Sequence, residues 1–185
     1  MKCALEKVGF SSMIDSSKSQ LEYADAIILP GVGNFSKALR NLALIKNEIL
    51  EEIRGGTPIL GICLGMQLFF SKSEEGIGEG LSVLKGENIQ LPGSVKVPHM
   101  GWNTLHIVGN NKLLEDIPDE SFVYFVHSYY PVPTDWDIGC AETTYGITFS
   151  SAIAKKNIFG TQFHPEKSGE YGLRILRNFA KITKR

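Results

Sequence analysis

Apolar and polar positions alternate in blocks along the first half of the chain. Residues 25–29, Asp-Ala-Ile-Ile-Leu, form a short Ile-rich run, the pattern of a strand buried in a parallel sheet. Pro30-Gly31-Val32-Gly33 punctuates it. Ala38, Leu42, Ile45, Ile49 and Ile53 then recur at spacings of four, three, four and four, which predicts one helix with one apolar face. Gly55-Gly56 ends it. Residues 57–62 read as a second buried strand and 64–70 as the next helix. Strand, helix, strand, helix predicts an α/β parallel sheet.

The second half changes character. From about residue 81 to 162 the segments are short and β-like. Residues 122–126 are all aromatic or Val, and 138–144, 146–154 and 158–163 resemble successive strands separated by turn residues. These predict hairpins added to one edge of the sheet. A last helix is expected over 170–183, with Leu173, Leu176, Phe179 and Ala180 on its apolar face. Its basic residues gather near the C-terminal end, as the helix dipole favours. There is no repeat, linker or low-complexity tract, so residues 1–185 read as one domain.

Composition narrows the classes. Hydrophobic residues are 43% and charged residues 21%, with a net charge of −1, which excludes a disordered chain and a general footprint for nucleic acid or an anionic membrane. The longest apolar stretch, 57–70, is interrupted by Gly61, Gly65 and Gln67 and is shorter than the about 20 residues a membrane helix needs. The start of the chain lacks a signal-peptide core. Cys3, Cys63 and Cys140 form no CxxC pair, so neither a metal cage nor a disulfide framework is expected, and the cytoplasm is the expected compartment.

Three segments carry candidate chemistry. Gly61-Ile62-Cys63-Leu64-Gly65 has the mechanics of a nucleophile elbow, with glycines on both sides of a sharp strand-to-helix turn. A helix start behind Cys63 favours its thiolate, and the Leu64 amide would face a reacting carbonyl. The plain alternative is a buried core cysteine. Gln162-Phe163-His164-Pro165-Glu166 offers a base. Pro165 holds His164 extended, and in extended chain Glu166 points the same way and can fix its tautomer. The alternative is a strand-end His with a solvated Glu. Pro30-Gly31-Val32-Gly33 suits an oxyanion hole because glycine permits close backbone approach, although an ordinary βα turn looks the same. A phosphate cradle fits less well, since the loop lacks the Lys and Ser/Thr of a P-loop. Taken together, the segments supply a nucleophile, an oriented base and an oxyanion site.

In this order, Pro-Gly-Val-Gly at 30–33, Gly-Ile-Cys-Leu-Gly-Met-Gln at 61–67 and Gln-Phe-His-Pro-Glu-Lys-Ser at 162–168 resemble the class I (triad) glutamine amidotransferases. Val-Pro-His-Met-Gly-Trp-Asn at 97–103 and Tyr-Phe-Val-His-Ser-Tyr-Tyr at 124–130 look like the glutaminase subunits of imidazole glycerol phosphate synthase. The resemblance covers nearly all of residues 4–182. It implies a flavodoxin-like fold: a mostly parallel central sheet, helices on both faces and added antiparallel hairpins. It implies hydrolysis of glutamine without a cofactor, and delivery of ammonia to a (β/α)₈-barrel synthase subunit in histidine biosynthesis. By motif match Cys63 is the nucleophile, His164 the base and Glu166 its orienter. Gln67 and the backbone around His127, Ser128 and Tyr129 match positions that bind glutamine. Leu64 and the Val32–Gly33 segment match the oxyanion hole. Met100 and Trp102 match the subunit interface, with Lys167 near it.

Other readings differ in what they need. A paralogue that feeds ammonia to sugar amidination keeps the same chemistry. A free-standing γ-glutamyl cysteine hydrolase needs no apolar docking face around Met100 and Trp102. A non-catalytic module would lack Cys63, His164 or Glu166. His99 and His106 get structural roles, with an interface position as the alternative for His99, and Cys3 and Cys140 are read as structural. One departure concerns the start. Family members open with a buried strand and a Gly-rich loop, whereas Ala4, Leu5, Val8 and Gly9 read as the end of a helix. The expectation is that the first, central strand is absent here and that Met1 is an internal or misassigned start.

Overall fold

The computed structural model describes residues 1–14 and 21–183. A short helix α1 (Lys2–Lys7) comes first, with Ala4 and Leu5 buried, and Gly9 follows it at a positive φ of 88°. The βα alternation then runs as expected: β1 (Ile27–Gly31), α2 (Phe35–Leu42), α3 (Lys46–Gly55), β2 (Ile59–Cys63) and α4 (Leu64–Gln67). The β-rich part contains β3 (Lys72–Ser73), β4 (Gly86–Gln90), β5 (His99–Ile107), β6 (Ser121–His127), β7 (Tyr129–Pro133), β8 (Gly139–Tyr145), β9 (Ile147–Lys155) and β10 (Ile158–Thr161). The last helix, α5, spans Gly169–Thr183. No described helix is long and apolar enough to cross a membrane.

Seven strands form one sheet in the order β1-β2-β10-β9-β8-β5-β6, and β3, β4 and β7 form a second, three-stranded sheet. The fold is the expected mixed α/β architecture. The parallel part of its large sheet is smaller than the resemblance implies, because there only β1, β2 and β10 run parallel. From β9 onward every pairing is antiparallel, so the hairpins make up more than half of the large sheet.

The pleat of β2 sorts the core into two layers, because successive side chains leave a strand on opposite faces. Leu60 and Ile62 join α1 and α5 through Leu5, Ile175, Leu176 and Phe179. Ile59 faces the other way and packs with Phe35, Leu42, Ile49 and Ile53 of α2 and α3. The apolar stripe of α2 and α3 is therefore buried as its spacing predicts.

Two helices depart from the sequence reading. The single helix expected over 38–53 is broken at residues 43–45, where Ala43 and Ile45 bond back to Arg40 and Leu42 in three-residue steps. The break leaves Leu44 exposed and lets the Lys46 ammonium donate to the Glu79 and Gly80 carbonyls. The helix expected over 64–70 stops at Gln67. Phe69 N and Phe70 N instead bond to Met66 O and Gln67 O in three-residue steps, and the chain at 81–84 returns to take the next carbonyls, with Leu81 N donating to Leu68 O at 2.7 Å and Val83 N to Phe69 O at 3.0 Å.

The tightest approach in the fold joins β1 to α4. A Cβ on Gly65 would fall inside the van der Waals radius of the Leu29 carbonyl oxygen, and one on Gly61 would lie 2.6 Å from the Met66 nitrogen. Neither backbone can yield. Gly65→Ala is therefore expected to cost about 3 kcal/mol, a fall in melting temperature on the order of 10 °C. Gly55→Ala, where a Cβ meets nothing within 4 Å, is expected to hold or raise the melting temperature. Thermal unfolding of both variants followed by circular dichroism checks the pair.

Candidate active site

Cys63 is the last residue of β2 and the cap of α4, with φ 53° and ψ −111°. A non-glycine residue in that region stores about 1–3 kcal/mol of strain, and it is held there because the glycines at 61 and 65 let the turn close. Gly31 is the register partner of Cys63 across β1 and β2. The 30–33 loop thus leaves β1 directly beside the elbow, with Val32 exposed and Gly33 at φ 108°. The Leu64 amide, the first of α4, favours the charged form of Cys63. The two segments expected to form an oxyanion site lie side by side.

The thiol is buried at 6% exposure. Burial pushes its pKa up to about 12, against the pull of the Leu64 amide, and the negative charges of Glu166 and Glu75 raise it too. Burial thus opposes the thiolate that the start of α4 favours, because α4 is a single turn and its few amides do not outweigh desolvation. Deprotonation needs a base at the site.

His164 is the candidate. Its ring is 2% exposed, and Nδ1 lies 2.9 Å from Glu166 Oε1. Burial alone would raise the Glu166 pKa, but the hydrogen bond from His164 and its charge win and hold it below the ordinary carboxylate value. With Nδ1 committed to the carboxylate, Nε2 is the free acceptor, and it is buried with no hydrogen-bond partner among the described residues. The route to this pair differs from extended-chain alternation. His164 is extended, but Pro165–Lys167 form a 3₁₀ turn that brings Glu166 back under the ring.

The far edge of the sheet sets where these groups stand. His164 N donates to Tyr124 O of β6 at 2.9 Å, while the Cys63 thiol is directed at Val126 O of the same strand at 3.6 Å. Tyr124 N donates to Ser168 Oγ, which in turn donates to His164 O. Two residues of one strand span about 7 Å, so β6 fixes the offset between the two segments.

The residues matched to glutamine binding lie next to this edge. Gln67 is buried and donates through Nε2 to Tyr129 O at 2.7 Å and to Gln162 Oε1 at 3.1 Å. His127 is buried, with Nδ1 3.0 Å from the same Tyr129 carbonyl. The Ser128 carbonyl is tied to Leu91 N at 2.9 Å. Sequence reading missed Gln162, whose Nε2 donates to the Cys63 sulfur at 3.5 Å and so links the thiol to Gln67. Its one signal was its place two residues before His164. Glu75 was missed as well. Its carboxylate accepts from Phe35 N at 2.6 Å, steadies the start of α2 behind the 30–33 loop, and its field reaches Cys63.

His99 is not an interface residue. It is buried beneath β5, stacked on Tyr145 at 3.9 Å and 3.0 Å from His127 Nε2. His106 is exposed and lies 3.3 Å from Asp119. The outer face of the β5–β6 pair carries Met100, Trp102 and Phe122, each more than half exposed. Trp102 packs edge-on to Tyr124 at 5.9 Å, and Lys167 Nζ sits 5.9 Å from the centre of the Tyr124 ring.

The sequence matches the family model "Glutamine amidotransferase class-I" over residues 1–182. It is 48% identical over 182 residues to the imidazole glycerol phosphate synthase subunit HisH of Methanothermobacter thermautotrophicus, covering 98% of this chain and 91% of that one. The HisH subunit of Archaeoglobus fulgidus is 47% identical over 184 residues, with the same coverage of 98% and 91%. Among solved structures, a glutamine amidotransferase shares the fold at a TM-score of 0.74 and 20% identity, over 100% of this chain and 92% of that one. A second, from Thermotoga maritima, does so at a TM-score of 0.68 and 18% identity, over 99% and 90%. Elbow cysteine, oriented histidine and glycine loop thus stand in a chain matched almost end to end, and the protein is a member of the class-I glutamine amidotransferase family.

Proposed function

We propose that Cys63, His164 and Glu166 hydrolyse the side-chain amide of glutamine. The observation that carries this reading is the buried His164 Nε2, without a partner among the described residues, in a segment anchored on the same strand edge as the Cys63 thiol. His164 Nε2 takes the proton of Cys63, and the sulfur attacks the amide carbon. The oxygen becomes an oxyanion, received by the Leu64 N–H and by the peptide between Val32 and Gly33. Collapse breaks the C–N bond as His164 returns its proton to the leaving nitrogen, which departs as neutral ammonia. Water, deprotonated by His164, then attacks the γ-glutamyl thioester and releases glutamate, and Cys63 recovers its proton. Glu166 holds the ring tautomer and stabilises its positive form. Gln67 and the 127–129 backbone hold the rest of the substrate. These steps use side chains, backbone and water, with no cofactor.

The chain acts as the glutamine amidotransferase subunit of imidazole glycerol phosphate synthase in histidine biosynthesis, a reading supported by relatives at 46–49% identity. Ammonia exposed to water is protonated and lost as a nucleophile, so the site needs a docked acceptor subunit. The exposed apolar face of Met100, Trp102 and Phe122, beside Lys167, is the surface for a (β/α)₈-barrel synthase partner. The protein works as a single domain over residues 1–185 in the cytoplasm, where its free Cys3, Cys63 and Cys140 thiols stay reduced.

Three outcomes follow. Cys63→Ala abolishes glutamine hydrolysis but leaves the partner's ammonia-dependent synthesis at the wild-type rate. Normal glutaminase turnover in that variant would sink the assignment. The isolated subunit is a poor glutaminase, and the partner with its nucleotide raises turnover by about 10²–10³, the worth of one oxyanion donor. Steady-state glutamine hydrolysis with and without the partner measures this, and equal rates would point to a free-standing hydrolase. Trp102→Ala weakens partner binding by about thirtyfold, the loss of one aromatic anchor, whereas Leu44→Ala, exposed at the α2–α3 turn, leaves it unchanged. Titration calorimetry compares the two.

A further inference from the structure

β5 and β6 show opposite characters on their two faces. The buried face carries a histidine pair that the mechanism above does not use. His99 is 3% exposed and His127 5%, and the two are register partners across the strands. His99 lies between the rings of Tyr145, 3.9 Å away, and Phe125, 4.7 Å away. An aliphatic or phenyl side chain would fill that slot without desolvating two imidazoles.

The hydrogen bonds fix every proton along a chain. Tyr129 O can only accept, so His127 Nδ1, 3.0 Å away, carries its hydrogen. Neutral His127 then accepts at Nε2, and the group facing it at 3.0 Å, His99 Nδ1, must donate. That leaves His99 Nε2 as acceptor, facing Asn103 Nδ2 at 3.3 Å. Asn103 is anchored in turn, donating to Thr144 O at 3.1 Å and accepting from Thr104 N at 2.8 Å. The reverse tautomers would set two N–H groups head to head. Burial keeps both rings neutral, with His99 lowered to about 4 and His127 to about 3. The chain ends on the Tyr129 carbonyl, which also receives Gln67 Nε2 at 2.7 Å.

We propose that His99 is a positioning residue for the glutamine site, acting through His127 to hold the Tyr129 carbonyl and the Gln67 amide in the geometry that receives substrate. This deepens the functional reading above and rests on it. A fixed carbonyl accepting two donors holds both, and losing the relay frees the 127–129 backbone to shift. Binding of glutamine is therefore the step that depends on His99, while the Cys63–His164 chemistry is reached through other contacts.

The test uses the chain in complex with its synthase subunit. His99→Phe keeps the ring stack on Tyr145 and Phe125 but removes the donor to His127. The expected result is a glutamine KM about tenfold higher, with kcat per active site, counted by a diazoketone glutamine analogue that alkylates Cys63, changed less than threefold. His99→Asn, whose Nδ2 replaces the Nδ1 donor, restores KM to within about threefold of wild type. A packing role alone would lower the number of titratable sites and leave KM unmoved, which would overturn the proposal. A second measurement needs no variant. In wild-type complex, the imidazole ¹⁵N signals of both His99 and His127 shift when glutamine analogue occupies the site. A His99 signal that stays fixed overturns the relay, also in the event that His99→Phe does not fold. Wild-type complex that fails to hydrolyse glutamine refutes the functional reading itself, whereas an active wild type with an unaltered His99→Phe refutes only the role of His99.

Discussion

The outer edge of β6 holds two segments that are 101 residues apart in the chain, Cys63 and His164. An edge strand presents unpaired carbonyls, and in most proteins these face water. Here the carbonyl of Tyr124 receives the backbone of the base, and that of Val126 faces the thiol. β2 is second in the strand order and β6 is last, so the sheet must curl for Cys63 to reach β6. The long antiparallel half of the sheet is what makes that curl. The parallel pairing of β2 with β10, Ile62 opposite Thr161, already sets the elbow beside the histidine segment, and the curl is what brings β6 against both.

The nucleophile sits against two unfavourable terms. Its backbone is strained at φ 53°, and its sulfur is in surroundings that oppose ionisation. Both follow from one cause. The glycines at 61 and 65 allow the chain to turn within a single residue, which buries Cys63 under β6 while pointing it at Leu64 N. Burial raises the thiol pKa more than one helical turn lowers it. The result is a cysteine whose surroundings favour the protonated form. His164 carries a second such cost, a buried Nε2 without a partner among the described residues, worth about 1–3 kcal/mol of desolvation. The apolar layers on either side of β2 offset these terms, and removing the glycines would remove the reason that Cys63 is in place.

The parts of the site that are local in sequence were legible from it. Two glycines around Cys63, His164 next to Pro165 and two residues from Glu166, and the glycine loop after a buried run each state their geometry within a few positions. The stripe from Ala38 to Ile53 was legible as a buried face, since its period survives the break at 43–45, but the break was not. It arises from the loop at 79–80, which draws in Lys46. The early end of α4 was hidden too, since the chain tightens into three-residue steps at Phe69 and Phe70 where residues 81–84 pack back against it. Gln162, Glu75 and the His99–His127 pair were illegible because each depends on strand register or on a contact more than 25 residues away. The burial that opposes a thiolate at Cys63 was hidden for a related reason. A dipole is visible in a motif, while desolvation depends on what the rest of the chain stacks over it.

The β5–β6 pair joins the two functions of the molecule through its pleat. Met100, Trp102, Tyr124 and Phe122 alternate with His99, Asn103, Phe125 and His127, so neighbouring residues point to opposite sides of one thin layer. The outward set is apolar and exposed, and the inward set holds the hydrogen bonds that end on Tyr129. Nothing but the shared backbone separates them. Under the proposed function, a partner seated on Trp102 would press on the same strands that fix Tyr129, His127 and the carbonyls at 124 and 126. The docking face and the substrate face would then be coupled mechanically, because a two-stranded ribbon cannot be loaded on one face without the other face registering it.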